Sequence, residues 1–394
     1  MKSKPLSLYI HIPFCANKCD YCDFVSFDNC VNVIPSYLDT LIREIKSYKD
    51  KCINHIVETI YIGGGTPSLL SAAQIGKLMT ALRKNFVITD NAEITIECNP
   101  GSLTAAKLNK YKSIGINRLS LGIQSHDSLE LKVLGRVQST KSVFKALALI
   151  QRCGIENLSI DFLYNIPLPR EIANANLRRD IEAEVQFLLN VAPHIKHIST
   201  YSLTPELGTP LARRLDYEEL YELDEDTSIE EELDLQETLK EHGFKRYEVS
   251  NWAQKGYECK HNLNYWNAEH EYLGFGVSAH GLFDGERYEN TEDLNMYLLK
   301  PNKVHSSEKR TKADLVNEII MLGLRTKKGV SLSRLGDLGI NLLAEKSKEV
   351  LELSNIGLLK THGNDLRATE DGMFILNLLI DMLTLDKKRE KSLQ

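Results

Sequence analysis

No apolar run in this 394-residue chain approaches the ~20 residues needed to cross a bilayer. The first residues, Met1–Pro5, carry no apolar signal-peptide stretch before a strand-like run begins. A basic excess is also missing: 48 Lys+Arg stand against 54 Asp+Glu, a net charge of −6. Phosphate binding needs a basic face, so nucleic acid is not an expected partner. Compositional bias is absent too. At 42% hydrophobic and 26% charged the chain is ordinary for a globular protein, which excludes disordered, collagen-like and coiled-coil classes. The expected compartment is therefore the cytoplasm, and the length predicts two or three domains at ~150 residues each. In a long chain without a secretion signal, the eight cysteines (15, 19, 22, 30, 52, 98, 153 and 259) do not suggest a disulfide framework. Three of them fall within eight residues.

The first two-thirds alternate strand and helix patterns. Leu6–Ile12 ends at Pro13, His55–Ile62 runs into Gly63-Gly64-Gly65, and Glu93–Glu97 ends at Cys98-Asn99-Pro100. Arg118–Ile123, Asn157–Leu163 and His197–Leu203 are likewise closed by Gln124-Ser125, Asn165-Ile166-Pro167 and Thr204-Pro205. Short apolar runs closed by such residues read as parallel strands. Helical spacing is present in Ser36–Lys49, Ser71–Asn85 and Thr140–Arg152. Six β-runs separated by helices predict an α/β barrel, part of one, or an open doubly wound sheet. In each case function belongs at the C-terminal ends of the strands.

Asp216–Glu241 holds thirteen carboxylates against one base, Lys240. Ile229, Leu233, Gln236 and Leu239 are its expected apolar stripe, with a solvated acidic face opposite. After Lys300 the pattern changes to an amphipathic helix over Asp314–Arg325, shorter helices and a β-turn near His362-Gly363-Asn364. That order suggests a winged-helix-like unit. Lys327 and Lys328 are its weak basic signal and no basic stripe follows, so a structural or lid role is expected there.

Cys15, Cys19 and Cys22 have C-x₃-C-x₂-C spacing in a loop that follows the first strand. Three thiolates this close can share one soft-metal site. Zinc is one candidate, with His11 or Asp23 as a fourth ligand. A cubane iron–sulfur cluster with one open iron is the other; electron-transfer clusters take four cysteines.

This signature resembles the radical S-adenosylmethionine superfamily. Tyr9–Phe14, Gly63–Ser68, Glu97–Gly101 and Gly122–Ser125 are similar to its oxygen-independent coproporphyrinogen oxidase branch, from about residue 6 to 380. The resemblance implies a partial (βα)6 TIM-like radical SAM barrel (α/β) with a C-terminal helical, winged-helix-like domain. It divides the chain into a core at 1–240, a core extension at 241–300 and the C-terminal unit at 301–394. It also implies a [4Fe-4S] cluster on Cys15, Cys19 and Cys22, and S-adenosylmethionine held by Tyr9, Tyr21, Gly64, Gly65, Thr66, Glu97, Gln124, Arg136 and Asp161. Chemistry agrees: glycines admit a close ligand, Glu97 can accept from ribose hydroxyls, and Arg136 can pair a carboxylate at two points.

Within that family, three features point to heme chaperones rather than oxidases. The oxidase pattern adds a cysteine two residues after the third, where this chain has Phe24. Only fourteen residues precede Cys15, without the oxidase's long extension. His261-Asn262-Leu-Asn-Tyr265-Trp266 forms an HNxxYW motif that looks like the chaperone's. An imidazole can ligate heme iron and aromatic rings can stack on a porphyrin, so His261, Asn262, Tyr265 and Trp266 are candidate heme residues, with Cys259 and His280 as other candidate ligands. The partners so implied are a heme-accepting protein, for which a membrane-associated acceptor is a candidate, a reductant for the cluster, and a homodimer as a candidate assembly. The alternatives are the oxidase itself, which decarboxylates propionates to vinyls, and a winged-helix regulator with structural zinc.

Overall fold

A computed structural model describes residues 3–174, 179–301 and 304–385. Its first strand, β1 (Lys4–Ile12), buries Leu6, Leu8, Ile10 and Ile12 on one side and Ser7 and His11 on the other. A strand covered on both faces is what a parallel sheet requires. It is followed by β2 (His55–Gly64), β3 (Ile88–Cys98), β4 (Arg118–Gln124), β5 (Asn157–Tyr164) and β6 (Ile195–Ser202). The intervening helices include α1 (Ile34–Ser47), α2 (Ala72–Asn85) and α3 (Thr140–Arg152). Ser71 and Gln74 form a capping box that starts α2, and Ser139 with Ser142 does the same for α3.

A seventh parallel strand, β7 (Glu271–Phe275), pairs with β1 on the side opposite β2. The sequence pattern gave six, because β7 is a five-residue run interrupted by Gly274 and lies beyond the regular alternation. Twelve strands make one sheet, with the parallel order β7-β1-β2-β3-β4-β5-β6 at its centre. Antiparallel strands extend both ends: Asn251–Ala253 and Lys245–Arg246 beyond β6, and His280–Phe283, Glu286–Asn290 and Val304–Lys309 beyond β7. The ends are not joined to each other among the described residues, so the α/β unit is partial and not a closed barrel. Residues 241–300 thus contribute strands to both ends of the sheet.

One hydrophobic core runs along the parallel strands and their helices. A second gathers around the helix Lys312–Leu324 and a three-stranded sheet made by Val330–Ser331, Asp365–Ala368 and Leu359–His362. Helices followed by this small antiparallel sheet give the winged-helix-like outline. Lys327 is paired with Glu370, which removes one of the two lysines that offered a basic signal. The two cores are stitched together where Val249 N–H donates to Arg325 O (2.8 Å) and Lys327 N–H donates to Tyr247 O (3.0 Å). No helix among the described residues is long and apolar enough to cross a membrane.

The acidic segment differs from its expected form. Its helix spans Glu225–Glu241, and the face it buries carries Thr227, Glu231, Leu235, Gln236, Thr238 and Leu239, so Gln236 and Leu239 of the expected stripe point inward. Ile229 and Leu233 are exposed. The buried face also makes a specific polar contact: Glu231 accepts the backbone N–H of Asn165 at 2.8 Å. Asn165 has φ 57°, a turn that no ladder satisfies.

Candidate functional site

The loop after β1 is closed by backbone hydrogen bonds. Cys15 N–H donates to Phe27 O (3.0 Å) and Phe27 N–H to Pro13 O (2.7 Å), so residues 13–27 form a pinned excursion. Gly65 N–H donates to Ile12 O (2.9 Å) and Thr66 N–H to Phe14 O (2.8 Å), which lays the turn after β2 against the cysteine loop. That approach needs glycine. A Cβ on Gly65 would meet Phe14 O at 2.9 Å and Cys15 Sγ at 3.0 Å. Gly64 has φ +114°, and a Cβ there would meet the His11 ring at 2.7 Å.

Beneath this turn lies a cavity of about 570 Å³ at the C-terminal ends of the parallel strands. Cys15, Cys19 and Cys22 line it, together with Tyr21, Gly64, Gly65, Thr66, Glu97, Gln124, Arg136 and Asp161. Each sequence candidate for this site is thereby brought to one space, except Tyr9. Tyr9 stacks on Tyr61 (6.3 Å between ring centres, 25° apart) and faces a neighbouring cavity instead. Residues the sequence did not single out also line the space: Tyr61 and Tyr201. They lack a motif of their own; position near the C-terminal end of a strand was their only signal.

Electrostatics favour a polar ligand here. Arg136 donates through Nη1 to Cys19 Sγ (3.3 Å) and through Nη2 to Gly122 O and Gln138 Oε1, while its buried Nε finds no acceptor among the described residues. Gln124 holds a left-handed φ of 64°, a conformation that costs a non-glycine residue about 1–2 kcal/mol. Strain of this kind clusters at functional sites. Glu97 Oε2 accepts from Gly64 N–H at 3.0 Å, and burial, then the neighbouring Asp161, pushes its pKa up to about 7. Burial also raises Asp161, against hydrogen bonds from Ser199 and Ser120.

The donor set suits a soft-metal centre. Three thiols share one wall, and the Thr66 hydroxyl (3.6 Å from Cys15 Sγ) and the Arg136 guanidinium can stabilise thiolates. Burial raises the Cys15 and Cys22 thiols, and hydrogen bonds at each oppose it. Among the described residues no three His, Cys, Asp or Glu side chains converge tightly enough to hold an ion between them, so the sulfurs share a cavity and not a point. His11 is not free to serve as a fourth zinc ligand: Nδ1 is bonded to Tyr9 OH (3.0 Å) and Nε2 to Val25 O (3.1 Å). Asp23 does line the cavity.

The HNxxYW segment forms the short helix Lys260–Tyr265. Buried Glu93 receives its first N–H groups, from Lys260 (3.1 Å) and His261 (3.0 Å), and the Cys259 thiol (3.5 Å). His261 is fully buried. Its Nδ1 meets Thr59 Oγ1 at 2.8 Å and its Nε2 meets Tyr265 OH at 3.0 Å. The Thr59 hydroxyl donates onward to Ser7 (2.7 Å), so Nδ1 carries the proton and Nε2 accepts from Tyr265. Burial pushes the His261 pKa down to about 3, with His270 and Arg118 adding to it. The imidazole is thus neutral and committed at both nitrogens. Tyr265 and Trp266 face the neighbouring cavity of about 560 Å³, whereas His261 and Asn262 line neither cavity.

This arrangement defines a class: a three-cysteine loop over a nucleoside-sized polar cavity at the C-terminal end of a partial parallel barrel. The Radical SAM superfamily model matches residues 9–177, and the HemN C-terminal domain model matches residues 311–375. A solved structure described as coproporphyrinogen III oxidase (HemN) from Escherichia coli superposes with a TM-score of 0.82 at 22% identity, covering 98% of this chain and 91% of that one. Closer sequence relatives are the Heme chaperone HemW of Lactococcus lactis (32% identical, 98% of this chain and 99% of the relative) and that of Bacillus subtilis (32%, 94% and 97%). The chain belongs to the HemW family of the radical SAM superfamily.

Proposed function

We propose that this protein is a heme chaperone that binds heme, carries a [4Fe-4S] cluster with S-adenosylmethionine, and hands heme to an acceptor protein. Cys15, Cys19 and Cys22 would hold the cluster, whose open iron would chelate the amino and carboxylate groups of S-adenosylmethionine. Gly64, Gly65 and Thr66 would present backbone and hydroxyl groups to that ligand. Glu97 would accept from its ribose, Arg136 would take a carboxylate with its unpartnered Nε side, and Gln124, Asp161 and Tyr21 would line the remainder. Tyr265 and Trp266 offer aromatic faces to heme next door. His261 would act by fixing Tyr265, since neither of its nitrogens is free. Units at 1–240, 241–300 and 301–394 are the division we adopt, with the middle one carrying the heme motif.

The observation that carries the chaperone reading is the full-length likeness to curated heme chaperones, covering 98% of this chain. The test is delivery. Heme-loaded protein mixed with the apo form of a b-type cytochrome should lose its heme to it, read as a shift of the Soret band. Heme that stays on the loaded protein refutes delivery.

A further inference from the structure

Resting on the heme-chaperone reading, we propose that heme seats in the second cavity, with His280 Nε2 as its iron ligand and Arg287 as the partner of a propionate. The candidates for iron ligation separate by what their donor atoms already do. His261 is committed at both nitrogens, and so is His11. Cys259 is fully buried against Glu93. His280 differs from all three. It opens the strand His280–Phe283, lines the cavity, and keeps a side chain that is 66% exposed. Its nearest anionic neighbour, Glu289 Oε1, lies 3.9 Å from Nε2, outside hydrogen-bond range, so the lone pair is available to a metal.

The rest of the cavity suits a flat, apolar macrocycle with anionic edges. Tyr265 and Tyr272 stand edge to face at 4.8 Å, and Trp266 and Leu282 extend the apolar wall. The volume, about 560 Å³, falls in the range of small-molecule sites. At the rim, Glu318 is shared between Arg287 (2.8 Å) and Arg310 (3.1 Å). Arg287 lines the cavity while it shares Glu318 with Arg310, so its remaining donors are placed to meet a propionate. Trp266 adds a buried Nε1–H with no acceptor among the described residues. The stacked rings of Tyr9 and Tyr61 separate this space from the cysteine cavity, and Phe24 lines both. Cargo therefore has a space of its own that adjoins the cluster site, with Tyr9 facing one and Tyr61 the other.

Titrations of the full-length protein with heme and with metal-free protoporphyrin IX test the assignment. His280→Ala should weaken heme roughly tenfold or more and shift the Soret band, while leaving the metal-free porphyrin unchanged. Arg287→Ala should weaken both ligands, because the propionates are common to them. Cys30→Ser, outside both cavity linings, should leave heme affinity unchanged. A His280→Ala protein that matches wild type in heme affinity and spectrum overturns the proposal. So does one that loses heme and porphyrin equally while its circular dichroism melt is unaltered. Wild-type protein that binds no heme fails the chaperone reading itself, a different result from either.

Discussion

Replacing Gly64 by alanine separates two effects that glycine hides. At φ +114° an L residue carries a backbone penalty of about 1–2 kcal/mol. The new Cβ would also sit 2.7 Å from His11 Cε1. That ring cannot swing aside freely, because Tyr9 OH and Val25 O hold its two nitrogens. Overpacking against a fixed neighbour adds about 1–3 kcal/mol, so the expected loss is about 2–5 kcal/mol. Gly208 supplies the control: it has φ +88° and nothing within 4 Å of its Cβ position. Gly208→Ala should lose only the backbone part, about 1–2 kcal/mol. Urea unfolding followed by circular dichroism reads both as midpoint shifts. Iron content after anaerobic reconstitution reads the local consequence, since Gly64 N–H also anchors Glu97. Equal midpoint shifts for the two variants would refute the claim that the turn is built on contact with His11.

Other expectations follow from the same geometry. Cys19→Ser should abolish iron–sulfur incorporation and its visible absorption, while Cys30→Ser, outside the cavity lining, should retain both; metal and sulfide analyses decide. Glu97 has a folded pKa of about 7 against an ordinary 4.5, so it contributes stability fully below about pH 4.5 and loses it as pH rises through about 7. Glu97→Gln should flatten that slope in urea titrations across pH 4.5–7; on the proposed ribose contact, wild-type affinity for S-adenosylmethionine should fall below about pH 7 and that of Glu97→Gln should not. Glu231→Ala should cost about 1–3 kcal/mol by orphaning Asn165 N–H, whereas Leu233→Ala on the exposed side should change stability by less than about 0.5 kcal/mol.

Much of the core was legible because parallel strands announce themselves. Each of the six β-runs became a strand, and Thr140–Arg152 became a helix with those bounds. The cysteines and the residues at strand ends met in one cavity because a parallel sheet delivers every loop to the same edge. What the sequence hid were contacts made across the fold. The acidic helix buries Glu231 beside Leu235 and Leu239, and Glu231 satisfies Asn165, sixty-six positions upstream. Tyr9 and His11, two residues apart on one face of β1, both turn toward the second cavity, with Tyr61 stacked on Tyr9. His261 looked like a ligand by residue type, and only the Thr59 and Tyr265 partners reveal that its lone pair is spent. Periodicity carries no information about such long-range hydrogen bonds.

The most direct test of the chaperone account pairs two readings on one sample. Anaerobically reconstituted protein is supplied with S-adenosylmethionine, a reductant and coproporphyrinogen III, and a parallel aliquot is titrated with heme. The account predicts saturable heme binding and no vinyl-bearing porphyrinogen product. Clear decarboxylation of coproporphyrinogen III would contradict it and place the chain with the oxidases.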